Sequence, residues 1–204
     1  MNIEKHNQLQ SIRKKVERLT KSPLYHYRKK NNYQPVLGEG SCDAQIVIIG
    51  EAPGKKEAET GKPFCGSAGK ILDRLLDSIA LLRNDVYITN IIKDRPPNNR
   101  DPKQEEIHIY APFLDQQLSI IQPNIIATLG RFSMSYIMKH YGLEDDLAPI
   151  SKIHGSIHEI LSPWGKTIII PLYHPAASIY NQKIKPDMMN DFQQIKKLLN
   201  RYKN

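Results

Sequence analysis

The chain reads as an α/β protein, a three-layer α/β/α arrangement around a central, mostly parallel four-stranded sheet. Three observations predict it. Short runs rich in Ile and Val recur at 44–49, 86–90, 124–129 and 166–172, apolar enough for strands buried on both faces. Amphipathic stretches at helical spacing separate them, at about 68–79, 103–121, 131–140 and 186–202. The strand runs end abruptly in polar or turn-forming residues, so side chains are delivered at strand carboxyl ends, where ligands gather in open α/β sheets.

The 204 residues can bury a full core and fit one domain over 1–204, with 1–43 a basic helix and connection packed on it. Twenty-nine Lys and Arg against 21 Asp and Glu give a formal charge of +8, which suits a polyanion partner. No apolar run approaches the ~20 residues that span a bilayer, and the polar N-terminus lacks a secretory apolar segment. A cytoplasmic protein without membrane contact is expected. Two distant cysteines, Cys42 and Cys65, can build neither a disulfide framework nor a four-thiolate site, and no metal is expected.

Residues 1–21 place Leu9, Ile12, Val16 and Leu19 at near-helical spacing among Lys and Arg, and Ser22-Pro23 stops that helix. Residues 26–43 read as a long basic connection to the first strand. Past 44–49 comes Gly50-Glu51-Ala52-Pro53-Gly54, a carboxylate presented beyond a strand end. The Gly- and Pro-rich segment 55–70 reads as a loop leading into the helix at 68–79. It is not a nucleoside-triphosphate loop: Gly50 and Gly54 enclose too few residues, and after Gly61 and Gly66 the required Lys is Ser67. The next strand ends in Asn90 and opens on Lys93-Asp94-Arg95-Pro96-Pro97-Asn98-Asn99-Arg100, too rich in Pro and Asn for regular structure. A polar connection spans 141–155, a strand pair 156–162 and 166–172 flanks the turn Pro163-Trp164-Gly165, and Tyr173-His174-Pro175 follows.

Three strand ends thus supply Glu51, Asn90 and His174, with Phe64 from the loop. A carboxylate can activate water, an amide can read a base edge, an aromatic ring can stack and an imidazole can stabilise a developing anion.

Gly50-Glu51-Ala52-Pro53-Gly54, Thr60 through Gly69, Thr89 through Pro102 and His174-Pro175-Ala176-Ala177 stand in the order and spacing of family 4 uracil-DNA glycosylases, which the chain resembles most from about residue 44 to 200. The resemblance implies a uracil-DNA glycosylase-like fold and hydrolysis of the bond between a base and deoxyribose in DNA, on a nucleotide rotated out of the duplex. It assigns water activation to Glu51, base binding to Gly50, Ala52, Phe64 and Asn90, and the leaving group to His174. Backbone N–H groups at Ser67 and Gly69, with Lys93, Arg95, Arg100 and Ser178, fall where the DNA backbone would be held; Tyr180, Lys183 and Lys185 flank the same probing loop. A monomer suffices for such work.

The family normally holds an iron–sulfur cluster through four cysteines. Here the matching positions are Leu19, Ser22, Asp94 and Tyr110, and no cluster is expected. In its place Leu19 would pack on Tyr110 and Asp94 would accept a hydrogen bond from Ser22. Two more departures, Ala58 where an Asp is common and His154-Gly155 where Arg-Gly is usual, leave open a modified pyrimidine such as glucosylated hydroxymethylcytosine in phage DNA, or a non-catalytic DNA-binding role.

Overall fold

A computed structural model describes residues 2–201. Its helices are α1 (Ile3–Glu17), α2 (Tyr25–Lys30), α3 (Lys55–Thr60), α4 (Ser67–Asp77), α5 (Gln104–Ile121), α6 (Arg131–His140), α7 (Ile150–Ile153), α8 (Ala177–Tyr180) and α9 (Lys185–Arg201). The strands are β1 (Glu39–Gly40), β2 (Ile46–Gly50), β3 (Tyr87–Asn90), β4 (Ile125–Leu129), β5 (His158–Ser162) and β6 (Gly165–Leu172). Tyr202, expected in the last helix, lies outside the described residues.

The sheet has six strands rather than four, in the order β1-β3-β2-β4-β6-β5. The inner four, β3, β2, β4 and β6, are mutually parallel, and β1 and β5 add antiparallel edges. The edge strand β1 was hidden in the sequence because two residues carry no periodicity. The segments read as plain connections likewise hold short helices, α2, α3 and α7, too brief to show a repeat.

Strand alternation splits the core into two layers. Val47 and Ile49 face a cluster built from Leu9, Ile12 and Val16 of α1, Tyr110, Leu114 and Leu118 of α5, and Met134 and Ile137 of α6. Ile46 and Ile48 face the opposite cluster, with Leu72, Leu75 and Leu76 of α4 and Phe192, Ile195 and Leu198 of α9. The N-terminal helix is therefore a wall of the core, its apolar stripe buried against α5.

From β2 the chain crosses to β3 on one side and later to β4 on the other. That reversal of direction opens a crevice beyond the carboxyl ends of the central strands.

Candidate active site

The register of the sheet builds the floor of this crevice. Gly50, the last residue of β2, is paired with Asn90, the last residue of β3. A Cβ at position 50 would collide with Asn90 Oδ1 and come within 2.7 Å of Phe64 Cζ. The missing side chain leaves the gap between ring and amide open. The loop after β3 is pinned to the end of β2, Ile91 and Ile92 N–H donating to the Gly50 and Glu51 carbonyls at 3.0 Å each.

Phe64 sits in the left-handed region, φ 47°, unusual for an aromatic residue and held there by its surroundings. Arg83 donates to the Pro63 carbonyl at 2.8 Å and the Phe64 carbonyl at 3.3 Å while pairing with Asp73 at 2.8 Å. Glu57 Oε1 accepts the N–H groups of Cys65 at 3.0 Å and Gly66 at 2.9 Å. Gly69 is buried beneath the Phe64 carbonyl, which any Cβ there would overlap, while Ser67 is exposed at the start of α4. Cys65 packs beside Thr60 at 3.3 Å.

His174, beyond β6, meets this ring from the far side, with centroids 5.7 Å apart and planes tilted by 34°. Its Nδ1 accepts the Ala176 N–H at 3.2 Å. Because a backbone N–H can only donate, the proton of the neutral ring belongs on Nε2. Burial pushes the imidazole down to about 4, only partly opposed by the Glu57 charge. At neutral pH His174 is a neutral donor.

Glu51 and Ala52 complete the wall. Burial, reinforced by the charge of Asp101 and opposed by Arg131, raises the Glu51 carboxyl to about 7. Glu51, Ala52, Phe64, Asn90 and His174 line one cavity of about 370 Å³, together with Pro53, Gly54, Glu57, Ala68, Pro96, Asn99, Arg100 and Ala176.

The residues expected on the DNA backbone divide. Lys93 is not a surface cation: it is wholly enclosed, bonded to Thr89 Oγ1, the Asn90 carbonyl and Gln117 Oε1. Ser178 is buried and its hydroxyl is spent on the Pro175 carbonyl at 2.9 Å, while Tyr180 beside it is 91% exposed. Arg95 is held by Tyr33 at 3.0 Å, Tyr27 at 3.2 Å and Asn99 at 2.7 Å, ordering the loop. Arg100 lines the cavity with its guanidinium paired to the buried Glu106.

At three of the four positions matched to cluster ligands, Ser22, Tyr110 and Asp94, the side chains are hydrogen-bonded in a chain, and Leu19 packs beside them. Tyr110 donates to Asp94 at 2.6 Å and lies 2.7 Å from the Ser22 hydroxyl. Asp94 also takes Arg28 Nη1 at 3.0 and 3.2 Å, and Arg28 donates to the Val16 and Glu17 carbonyls. Asp94 therefore receives its hydrogen bonds from Tyr110 and Arg28, not from Ser22, because the phenol stands between them. Leu19 is buried in the same cluster as the Tyr110 ring. This donor set, without a thiolate and with its oxygens already engaged, does not fit an iron–sulfur cluster. Among the described residues no group of three or more His, Cys, Asp or Glu converges as metal ligands.

Sequence reasoning missed Glu57, Arg83, Arg28, Asp101 and Arg131. Arg131 stacks on Phe132 at 4.6 Å and is paired with Asp101 beside the cavity. None belongs to an expected motif role, and only chain folding sets them beside the site. Ala58 and His154, the two departures, do not line the cavity. Ala58 is fully buried, and His154 bonds Asp191 at 2.9 Å and stacks on Tyr173 at 4.4 Å.

Beyond the strand ends of a mixed sheet covered by helices on both faces, a carboxylate, an amide, an aromatic ring and a neutral imidazole thus converge on one cavity, the residue types that the expected base excision calls for. A family profile described as the Uracil DNA glycosylase superfamily matches residues 37–197. The chain is 44% identical over 173 residues to a Type-4 uracil-DNA glycosylase of Archaeoglobus fulgidus, covering 84% of each chain. It is 43% identical to that of Saccharolobus solfataricus, over 94% of this chain and 86% of the relative, and 34% identical to that of Thermotoga maritima, over 94% of each. The chain belongs to the uracil-DNA glycosylase superfamily. Among the described residues, no helix is long and apolar enough to cross a membrane.

Proposed function

We propose that the chain is a monofunctional DNA glycosylase that hydrolyses the N-glycosidic bond of a flipped-out pyrimidine, uracil foremost, and leaves an abasic site. The convergence of Glu51, Phe64, Asn90 and His174 on one cavity carries this reading. The base stacks on Phe64, which offsets roughly 1–3 kcal/mol of the few kcal/mol that flipping costs. Asn90 pairs with the base edge over the gap left by Gly50. As the C1′–N bond breaks, its electron pair moves into the base, and His174 Nε2–H stabilises the growing negative charge without giving up its proton. Glu51, ionised, orients a water and accepts its proton as the water oxygen bonds to C1′. Preorganised donors of this kind are worth about 3–4 kcal/mol each.

Main-chain N–H groups at Ser67 and Gly69, with Arg100 on the cavity wall and the exposed Arg131, are assigned to phosphates, and the exposed Tyr180 to probing the duplex. The enzyme works as a cytoplasmic monomer on DNA and without an iron–sulfur cluster, its place taken by the Ser22–Tyr110–Asp94–Arg28 network. The test is incubation with labelled DNA carrying uracil, hypoxanthine, hydroxymethylcytosine or glucosylated hydroxymethylcytosine, followed by alkaline cleavage of abasic sites. Cleavage of the uracil strand is expected. Cleavage of only the glucosylated strand would move the substrate to modified pyrimidines, and no cleavage of any strand would leave a binding protein. Iron analysis of purified protein tests the cofactor statement, with iron well below one atom per chain expected.

A further inference from the structure

Lys93 is the one buried lysine among the described residues, and nothing in the reaction above uses it. An ammonium has three donors, and this one meets three acceptors: Thr89 Oγ1 at 2.8 Å, the Asn90 carbonyl at 2.6 Å and Gln117 Oε1 at 2.5 Å. All three are neutral oxygens, so the charge is solvated by the protein and not ion-paired. The acceptors are themselves locked. Gln117 donates to the Leu37 carbonyl at 2.8 Å and to Tyr87 Oη at 3.0 Å, and Thr89 donates to the Leu37 carbonyl at 2.6 Å. One buried cation thus ties α5, the strand β3 and the segment before β1 to the main chain of the residue that faces the base.

We propose that Lys93 is a positioning residue for base recognition, its ammonium fixing the Asn90 main chain so that the Asn90 amide stays in register with Gly50 over the cavity floor. This rests on the proposed reading of Asn90. Burial lowers the ammonium to about 7, against the raising effect of the Asp115 charge from α5. The other ionisable groups close to it, Tyr87 on β3 and Asp94 next in sequence, are respectively held neutral by burial and paired with Arg28. Above that pH the amine keeps two donors for three acceptors, and one oxygen faces a lone pair. Losing one hydrogen bond from a charged group weakens base binding by about tenfold.

Single-turnover excision of uracil from a single-stranded oligonucleotide, at a series of enzyme concentrations from about pH 6 to about pH 9, separates half-saturation from maximal rate. Glu51 titrates in the maximal rate, which rises with pH. Lys93 acts in half-saturation, expected to worsen about tenfold across the range in the wild-type chain, and to start about tenfold worse and stay flat in Lys93→Met. Wild-type half-saturation that does not change with pH, or the same pH dependence in Lys93→Met, overturns the proposal. Should the variant not fold, selectively ¹⁵N-labelled Glu51→Gln protein, which lacks the cavity carboxyl that titrates in the same range, decides: the Lys93 ammonium and the Asn90 side-chain amide are expected to shift with one midpoint, and separate midpoints or an unmoved Asn90 amide overturn it. If the wild-type chain excises nothing at any pH, the functional reading fails, while the shared midpoint still tests the positioning.

Discussion

Two polar clusters lie within the same fold and differ in how their hydrogen-bonding capacity is used. In the Ser22–Tyr110–Asp94–Arg28 cluster the donors and acceptors find partners inside the protein, and Arg28 and Asp94 are almost entirely buried. In the cavity, among the described residues, neither the Glu51 carboxylate nor the Asn90 side-chain amide has a partner in the protein, and His174 Nε2–H is unspent. Saturated polar groups convert burial into a fixed geometry. Groups left with free capacity, at pKa values displaced by burial, are free to act on a ligand. The first cluster should govern stability and the second, rate.

The sharpest way to break that division is Asp94→Ala, which strands Arg28 as a buried, unpaired charge. A loss of about 3–5 kcal/mol is expected, seen in denaturant unfolding, with excision per folded molecule little changed. A stable Asp94→Ala protein would mean the cluster does not hold the N-terminal segment. The converse substitution, His174→Ala, should lower the maximal rate by about 10²–10³, or about 3–4 kcal/mol, with the unfolding midpoint close to wild type. An equal loss of stability would erase the distinction.

Glu51→Gln bridges the two regions. The Glu51 carboxyl is raised in the folded chain to about 7, so the native state holds a proton that the unfolded chain has released between about pH 4.5 and that value. Stability therefore falls as pH rises through this window, and the full cost of the ionised form is present above about 7. Glu51→Gln should remove that cost, stabilising the protein by about 1–2 kcal/mol near pH 8 after allowance for partial exposure. Near pH 4 it should do nothing, and excision should drop at every pH. Thermal scans at the two pH values settle the sign. The smallest effect belongs to Asp101→Asn. Removing a charge that raises Glu51 and freeing Arg131 both lower it, so the ascending limb of the rate profile should move to lower pH by less than about one unit. Movement to higher pH would contradict the electrostatic assignment.

Much of this was legible in one dimension. The runs 44–49, 86–90, 124–129 and 166–172 are strands because β-branched residues buried on both faces leave a continuous apolar signal. Glu51, Asn90 and His174 could be read because strand ends are marked by sharp changes in composition. Lys93 and Ser178 misled the reading, since a lysine in a Pro-rich loop looks solvated until the chain folds three acceptors around it. Arg28 was hidden in the same way, within a basic segment whose partner, Asp94, lies 66 residues further on. Local pattern cannot report a partner at that separation.

The sequence by itself determined the α/β class, the order of the long helices and the central strands, and the residue types that meet at the strand ends, because these depend on periodicity and on local breaks in it. Tertiary structure alone decided which polar groups are spent and which remain free. That choice, together with the neutral His174, the raised Glu51 and the enclosed Lys93, depends on burial and on partners from distant segments, and dielectric and proximity exist only in three dimensions.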